Sequence, residues 1–70
     1  MNIFAKALIN NIDISDQSQI DNLRKKYGSI VIGNAICERI VERVFSGEIT
    51  SKDQLPIEYR DRLGAQLSLN

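Results

Sequence analysis

Seventy residues with nine Lys plus Arg against nine Asp plus Glu carry a formal net charge of zero, so no global field draws the chain to nucleic acid or to an anionic membrane. With no histidine, a single cysteine and four separate glycines, the composition offers no disulfide framework, no metal-ligand cluster and no phosphate-cradling loop. A hydrophobic content of 43% places the chain among folded sequences, and its length fits one domain spanning residues 1–70 that buries only about 60% of its unfolded surface.

The opening MNIFAKALINN lacks the apolar length and cleavage site of a secretory signal, and no later run reaches the 18 or so residues of a membrane span. A cytosolic protein with no cofactor and no membrane partner is expected. Domains this small commonly need a disulfide, a metal or oligomerisation. The first two being absent from the composition, a second copy or another protein is the expected partner.

In chain order, NIFAKAL predicts a short N-terminal helix with Ile3, Phe4, Ala7 and Leu8 on its inner side, ended by Asn10 or Asn11. A second helix begins where Ser15 or Asp16 can cap it. It runs through Ile20, Leu23 and Tyr27 at i, i+3 and i+7, with Gly28 as its terminator. Asp16 near its start and Arg24, Lys25 and Lys26 in its last turn complement the helix dipole. The same basic cluster is also of the kind that contacts phosphates.

The stretch SIVIGNAICERIVERVFSG predicts the central helix, over about 30–46. At about 100° per residue, Ile30, Gly33, Ile36, Cys37, Ile40, Val41, Val44 and Phe45 share one side. Glu38, Arg39, Glu42, Arg43 and Ser46 share the other, where Arg39 and Glu42 can pair. Val31 and Ile32 fall outside the apolar sector. That sector covers about half the cylinder, wider than the stripe of a little over 100° that a peripheral helix needs. Two explanations stand: the other helices wrap it, or part of it meets the same helix of a second chain. Ile36, Cys37, Ile40, Val41, Val44 and Phe45 are the candidate core or dimer seam.

After Gly47, Thr50 or Ser51 can cap a short turn with Asp53 as the answering acid. Leu55 is extended because it precedes proline. Pro56 opens a last helix whose inner face is Tyr59, Leu63 and Leu67. Gly64 within it marks either a close crossing or a fraying point, and the final SLN is expected to fray.

The string RVFSGEITSKDQLPIEYRDRLGAQL, Arg43 to Leu67, resembles a pattern in short proteins encoded in the tail-gene regions of phages and prophages. It runs from a helix through Gly47, a turn at Thr50 and the pair Leu55-Pro56 to a helix bearing Arg60 or Arg62. The resemblance implies a phage or mobile-element setting and carries no activity with it.

An enzyme is not expected. General bases and nucleophiles are chiefly His, paired carboxylates or an activated Cys or Lys, and Cys37 sits on an apolar face where a thiol is inert. Asp13, Asp16 and Asp21 lack the spacing, Gly and closing Glu of a calcium loop. DNA binding is the alternative function, through a basic patch of Arg24, Lys25, Lys26, Arg60 and Arg62. The short junction KKYGS fits a helix-turn-helix. The reading helix would then carry Glu38 and Glu42 beside Arg39 and Arg43, which is poor for approaching phosphates. The sequence therefore reads as an all-α bundle of three main helices plus an N-terminal helical segment. Its expected function is binding another protein, with self-association.

Overall fold

The computed structural model describes residues 3–70. Its helices are α1 (Ile3–Asn10), α2 (Gln17–Tyr27), α3 (Ser29–Ser46), α4 (Ile57–Arg60) and α5 (Arg62–Gln66), with a 3₁₀ turn at Lys52–Gln54. No strand occurs among the described residues. The fold is the small all-α bundle that the hydrophobic periodicity predicts.

α3 supplies the axis. Ile32, Ile36 and Ile40 are fully buried, Ala35 nearly so, and Val44 packs partly buried beside them. Against this row lie Ala5 and Ile9 of α1, Ile20 of α2, and Ile14, Ile49 and Leu55 from the connections. The buried arc thus runs from Ala35 through Ile32 and Ile36 to Ile40 and Val44. It includes Ile32, which the sequence reading set outside the apolar sector. Ile30 and Phe45, which that reading set inside it, are about four-fifths exposed, at 80% and 82%. Apolar residues occupy more of this helix than the core can cover, so the pattern alone could not say which part faces in.

α1 shows the same ambiguity. Ala5 and Ile9 are its buried residues, whereas Ile3 and Phe4 are exposed. Ala7 is exposed too, and of the predicted inner side only Leu8 packs against the core. Small Ala5 lets α1 approach α3, and Lys6 Nζ bridges to Glu42 at 2.7 Å. Asn11 closes the helix by donating from its side-chain amide to the Ala7 carbonyl at 3.2 Å.

Asp16 caps α2. Its carboxylate accepts from the Ser18 amide at 3.0 Å, the Ser18 hydroxyl at 2.7 Å and the Gln19 side chain at 2.9 Å. Gly28 then joins α2 to α3 with no loop at all. Its N–H donates to the Arg24 carbonyl at 2.9 Å while its own carbonyl accepts from Ile32 at 3.1 Å. The φ of +102° that permits both bonds is one that side-chain-bearing residues rarely adopt.

Gly47 ends α3 in the left-handed conformation, and Ile49 turns back to donate to the Arg43 carbonyl at 3.1 Å. In the 3₁₀ turn the answering residue is Gln54 rather than Asp53. Gln54 Oε1 accepts from the amides of Thr50 at 2.8 Å and Ser51 at 3.1 Å. The last helix is interrupted at Asp61, which itself keeps helical angles. Gly64 is buried, and a Cβ there would stand 3.2 Å from Lys52 Cβ. Of the two roles open to this glycine, close crossing is the one observed. The tail does not fray: Leu69 donates to the Gly64 carbonyl at 2.8 Å, and Asn70 accepts from Lys52 at 3.0 Å.

Truncating Ile40 to Ala should cost about 2–5 kcal/mol, the usual range for a fully buried isoleucine, whereas Phe45→Ala should stay within about 0.5 kcal/mol for the monomeric fold. Urea unfolding at low protein concentration measures both. A cost for Phe45→Ala equal to that of Ile40→Ala would contradict the orientation of α3.

Acid sensitivity follows from the caps. Hydrogen bonds from the Ser18 hydroxyl and then Gln19 hold Asp16 below the ordinary 3.8, and the Ser15 hydroxyl and then its amide do the same for Asp13. Lys6 holds Glu42 below the ordinary 4.5. Folded-state values below unfolded ones mean stabilisation that is complete above the ordinary values and lost as pH falls through the folded ones. Stability should therefore be flat from neutrality to about pH 5 and decline below about pH 4. Asp16→Asn should keep the stability at neutral pH, since Asn caps as well as Asp, while making the acid decline shallower. An unchanged acid slope, followed by circular dichroism, would remove Asp16 from the account.

Candidate interaction face

The six residues of the predicted core or seam divide between two sides of α3. Ile36 and Ile40 are fully buried and Val44 packs against the core. Cys37 and Val41 are half-buried, and Phe45 is exposed. Cys37, Val41 and Phe45 recur at i, i+4 and i+8, and Ile30 falls on the same side two turns further back, with exposed Asn34 between them. Together they form a second apolar stripe facing away from the isoleucine row.

Other elements flank this stripe without covering it. On one edge Glu38 and Glu42 follow Val41 around the helix, and all three line an open groove with Cys37. Glu42 there is held by Lys6 of α1 and by Arg39 at 3.2 Å. The other edge belongs to the C-terminal helix. Tyr59 Oη sits over Gly33, 3.6 Å from where a Cβ would be. Cys37 shares a second groove with Tyr59, Arg62 and Leu63. Phe4 of α1, also exposed, is steadied by an edge contact with Tyr27, ring centroids 5.5 Å apart.

The five residues of the predicted basic patch have different employments. Arg24 forms a two-pronged pair with Glu58, one contact at 2.7 Å, and donates to Tyr59 Oη at 2.9 Å. It thereby ties α2 to α4. Burial pushes the Tyr59 phenol above its ordinary value, the Arg24 guanidinium opposing this. Arg60 donates to the Leu55 carbonyl at 3.1 Å and the Asp53 carbonyl at 3.3 Å, securing the turn before α4. Lys25, Lys26 and Arg62 are exposed, with the Lys26 ammonium 5.5 Å from the Tyr27 ring. Two of the five cations are thus committed to internal contacts.

Elsewhere, Arg43, Glu48 and Asp13 line a polar cleft beside Ile14 and Ile49, with Arg43 3.7 Å from Glu48. No group of three or more His, Cys, Asp or Glu that could hold a metal occurs among the described residues, and no helix there is long and apolar enough to cross a membrane. The sequence reading did not single out Ile30 or Glu38 as site residues. The surplus width of the apolar sector was the signal for Ile30, but nothing in the sequence set Glu38 apart from its neighbours.

Arg24→Ala should lower stability by about 1–2 kcal/mol, because it removes a partly buried charged pair and a phenol contact together. The double change Lys25→Ala and Lys26→Ala should stay within about 0.5 kcal/mol. Thermal unfolding of the three proteins checks this, and equal losses would mean that the Arg24 link does not hold α2 to α4. No protein-family model matches the chain, and no curated protein or solved structure matches it either.

Proposed function

We propose that the protein is a non-enzymatic protein–protein interaction module that self-associates and docks on a partner protein through the outer face of α3. The observation that carries this reading is the outer stripe of Ile30, Cys37, Val41 and Phe45, half-buried at its middle and about four-fifths exposed at its two ends. Exposed apolar surface gathered on one element marks interaction sites more often than scattered apolar residues do. Phe45 has the character of an anchor, a large rigid side chain that is costly to leave in water. The small size of the domain supports the same reading, since oligomerisation is the remaining means of stabilising such a core. The resemblance of residues 43–67 to short phage and prophage tail-region proteins adds the setting, an accessory or regulatory protein of a phage or mobile element acting in the cytosol.

A DNA-binding regulator is the alternative, and the employment of Arg24 and Arg60 in internal contacts weighs against it. What is left for a duplex is Lys25, Lys26 and Arg62, on a chain without net positive charge.

Light scattering on a sizing column, over a range of protein concentration and with duplex DNA added at low salt, tests both functions. The wild-type mass should rise with concentration and ignore DNA. Val41→Asp, at a half-buried outward position, should remain helical and become monomeric, because burying a carboxylate in the seam is prohibitive while exposing one on a monomer is not. Val41→Asp with a mass identical to wild type would overturn the reading. A mass shift that requires DNA and vanishes at high salt would replace it with the alternative.

A further inference from the structure

The two edges of the α3 stripe differ in charge, and that difference narrows the occupant. On one edge Glu38 follows Val41 around the helix. On the other, exposed Arg62 of α5 reaches the groove it shares with Cys37. The other carboxylates beside the stripe are answered within the chain, Glu42 by Lys6 and Arg39, and Glu58 by Arg24. The side chains of Glu38 and Arg62 make no hydrogen bond or ion pair among the described residues. Two unanswered charges of opposite sign therefore border one apolar stripe, and they form no ion pair with each other.

We infer that the occupant is a second copy of this chain, laid parallel on α3 about a two-fold axis that runs along the stripe, so that each Glu38 meets Arg62 of the partner subunit. This rests on the reading of the outer face as a self-association surface and adds the orientation of the two copies and the charged contact between them. The symmetry decides the direction. A two-fold axis along the helix exchanges the two edges and sets acid against base on both sides. A two-fold axis across the helices, which would make them antiparallel, keeps each edge on its own side and sets Glu38 against Glu38. Like charges facing each other across a contact select against that arrangement. The stripe itself suits the parallel copy: Cys37, Val41 and Phe45 form an i, i+4 ridge of the kind that interdigitates with an identical ridge.

In a parallel pair every stripe residue faces its own counterpart, whereas in an antiparallel pair only the one residue at the axis does. Two proteins with one cysteine each read this out: the wild type, with Cys37, and Phe45→Cys combined with Cys37→Ser. These positions lie eight residues apart, about 12 Å along the helix. Both should be linked into covalent dimers by a short bis-maleimide, at protein concentrations where sedimentation shows each to be dimeric. Antiparallel packing with the axis at either position would leave the other pair about 24 Å apart and unlinked, and with the axis midway, at Val41, each pair about 12 Å apart, a case the charge exchange decides. Independently, Glu38→Arg and Arg62→Glu should each weaken the dimer about 10-fold, and the double exchange should return within about threefold of wild type. A chain that still dimerises but links at only one position, or whose double exchange gives no recovery, overturns the parallel pairing and leaves the α3 face standing. A wild-type chain that stays monomeric at every concentration overturns both.

Discussion

Everything in this fold depends on covering one row of side chains, Ile32, Ile36 and Ile40 on α3. The other elements gather mainly on that side of the 18-residue helix. α1 contributes Ala5 and Ile9, α2 contributes Ile20, and the connections contribute Ile14, Ile49 and Leu55. Among the described residues, seven of the ten buried hydrophobic ones are isoleucine. β-Branching leaves few rotamers to be lost on folding and makes the packed surface stiff. The core is accordingly small but well defined in shape, and its burial fixes the outward direction of the opposite stripe as firmly as its own.

Charge holds the layers that apolar contact leaves loosely joined. Arg24 links α2 to Glu58 and Tyr59 of α4, Lys6 links α1 to Glu42 of α3, and Arg60 gathers the carbonyls of the turn before its own helix. The first two contacts join elements far apart in sequence and the third spans a turn, so a charge-balanced composition becomes a set of positioning contacts. A protein that uses its charges internally has fewer to offer a polyanion. Exposed Lys25, Lys26 and Arg62 are the cations of the predicted basic patch that remain outside such contacts.

Element positions were legible in the sequence because their signals are local. Gly28 and Gly47 bound α3 where a positive φ was needed, Asp16 stood at a capping position, and Pro56 stood just before the last helix. Facing was less legible because it is a property of neighbours. Ile3 and Phe4 look like core residues until Ala5 and Ile9 are seen to be the ones that meet α3. Ile30 and Ile32 are chemically alike, and only the placement of α1 and α2 sends one outward and the other inward. The tail differs for a related reason: Ser-Leu-Asn lies outside α5, but Leu69 closes back locally on the Gly64 carbonyl and the Asn70 carbonyl accepts from the Lys52 amide, the second a contact made across the fold. The candidate site had the same limit, since six seam residues were named together and only the packed structure separates Ile36 and Ile40 from Cys37, Val41 and Phe45.

That one helix carries both stripes has a thermodynamic consequence. Anything bound to the outer stripe binds only when α3 is formed, and α3 is formed only when its inner stripe is packed, because an isolated helix of this length is marginal in water. Association and folding are then linked, and a ligand of the native state adds stability in proportion to the logarithm of its concentration above its dissociation constant. For a large protein such a gain is a small fraction of the total. For a domain this small, where stability is a narrow difference between large opposing terms, the same gain is comparable with the stability itself. Burying exposed Phe45 against any bound surface would add to the stability of the same helix whose inner stripe makes the core.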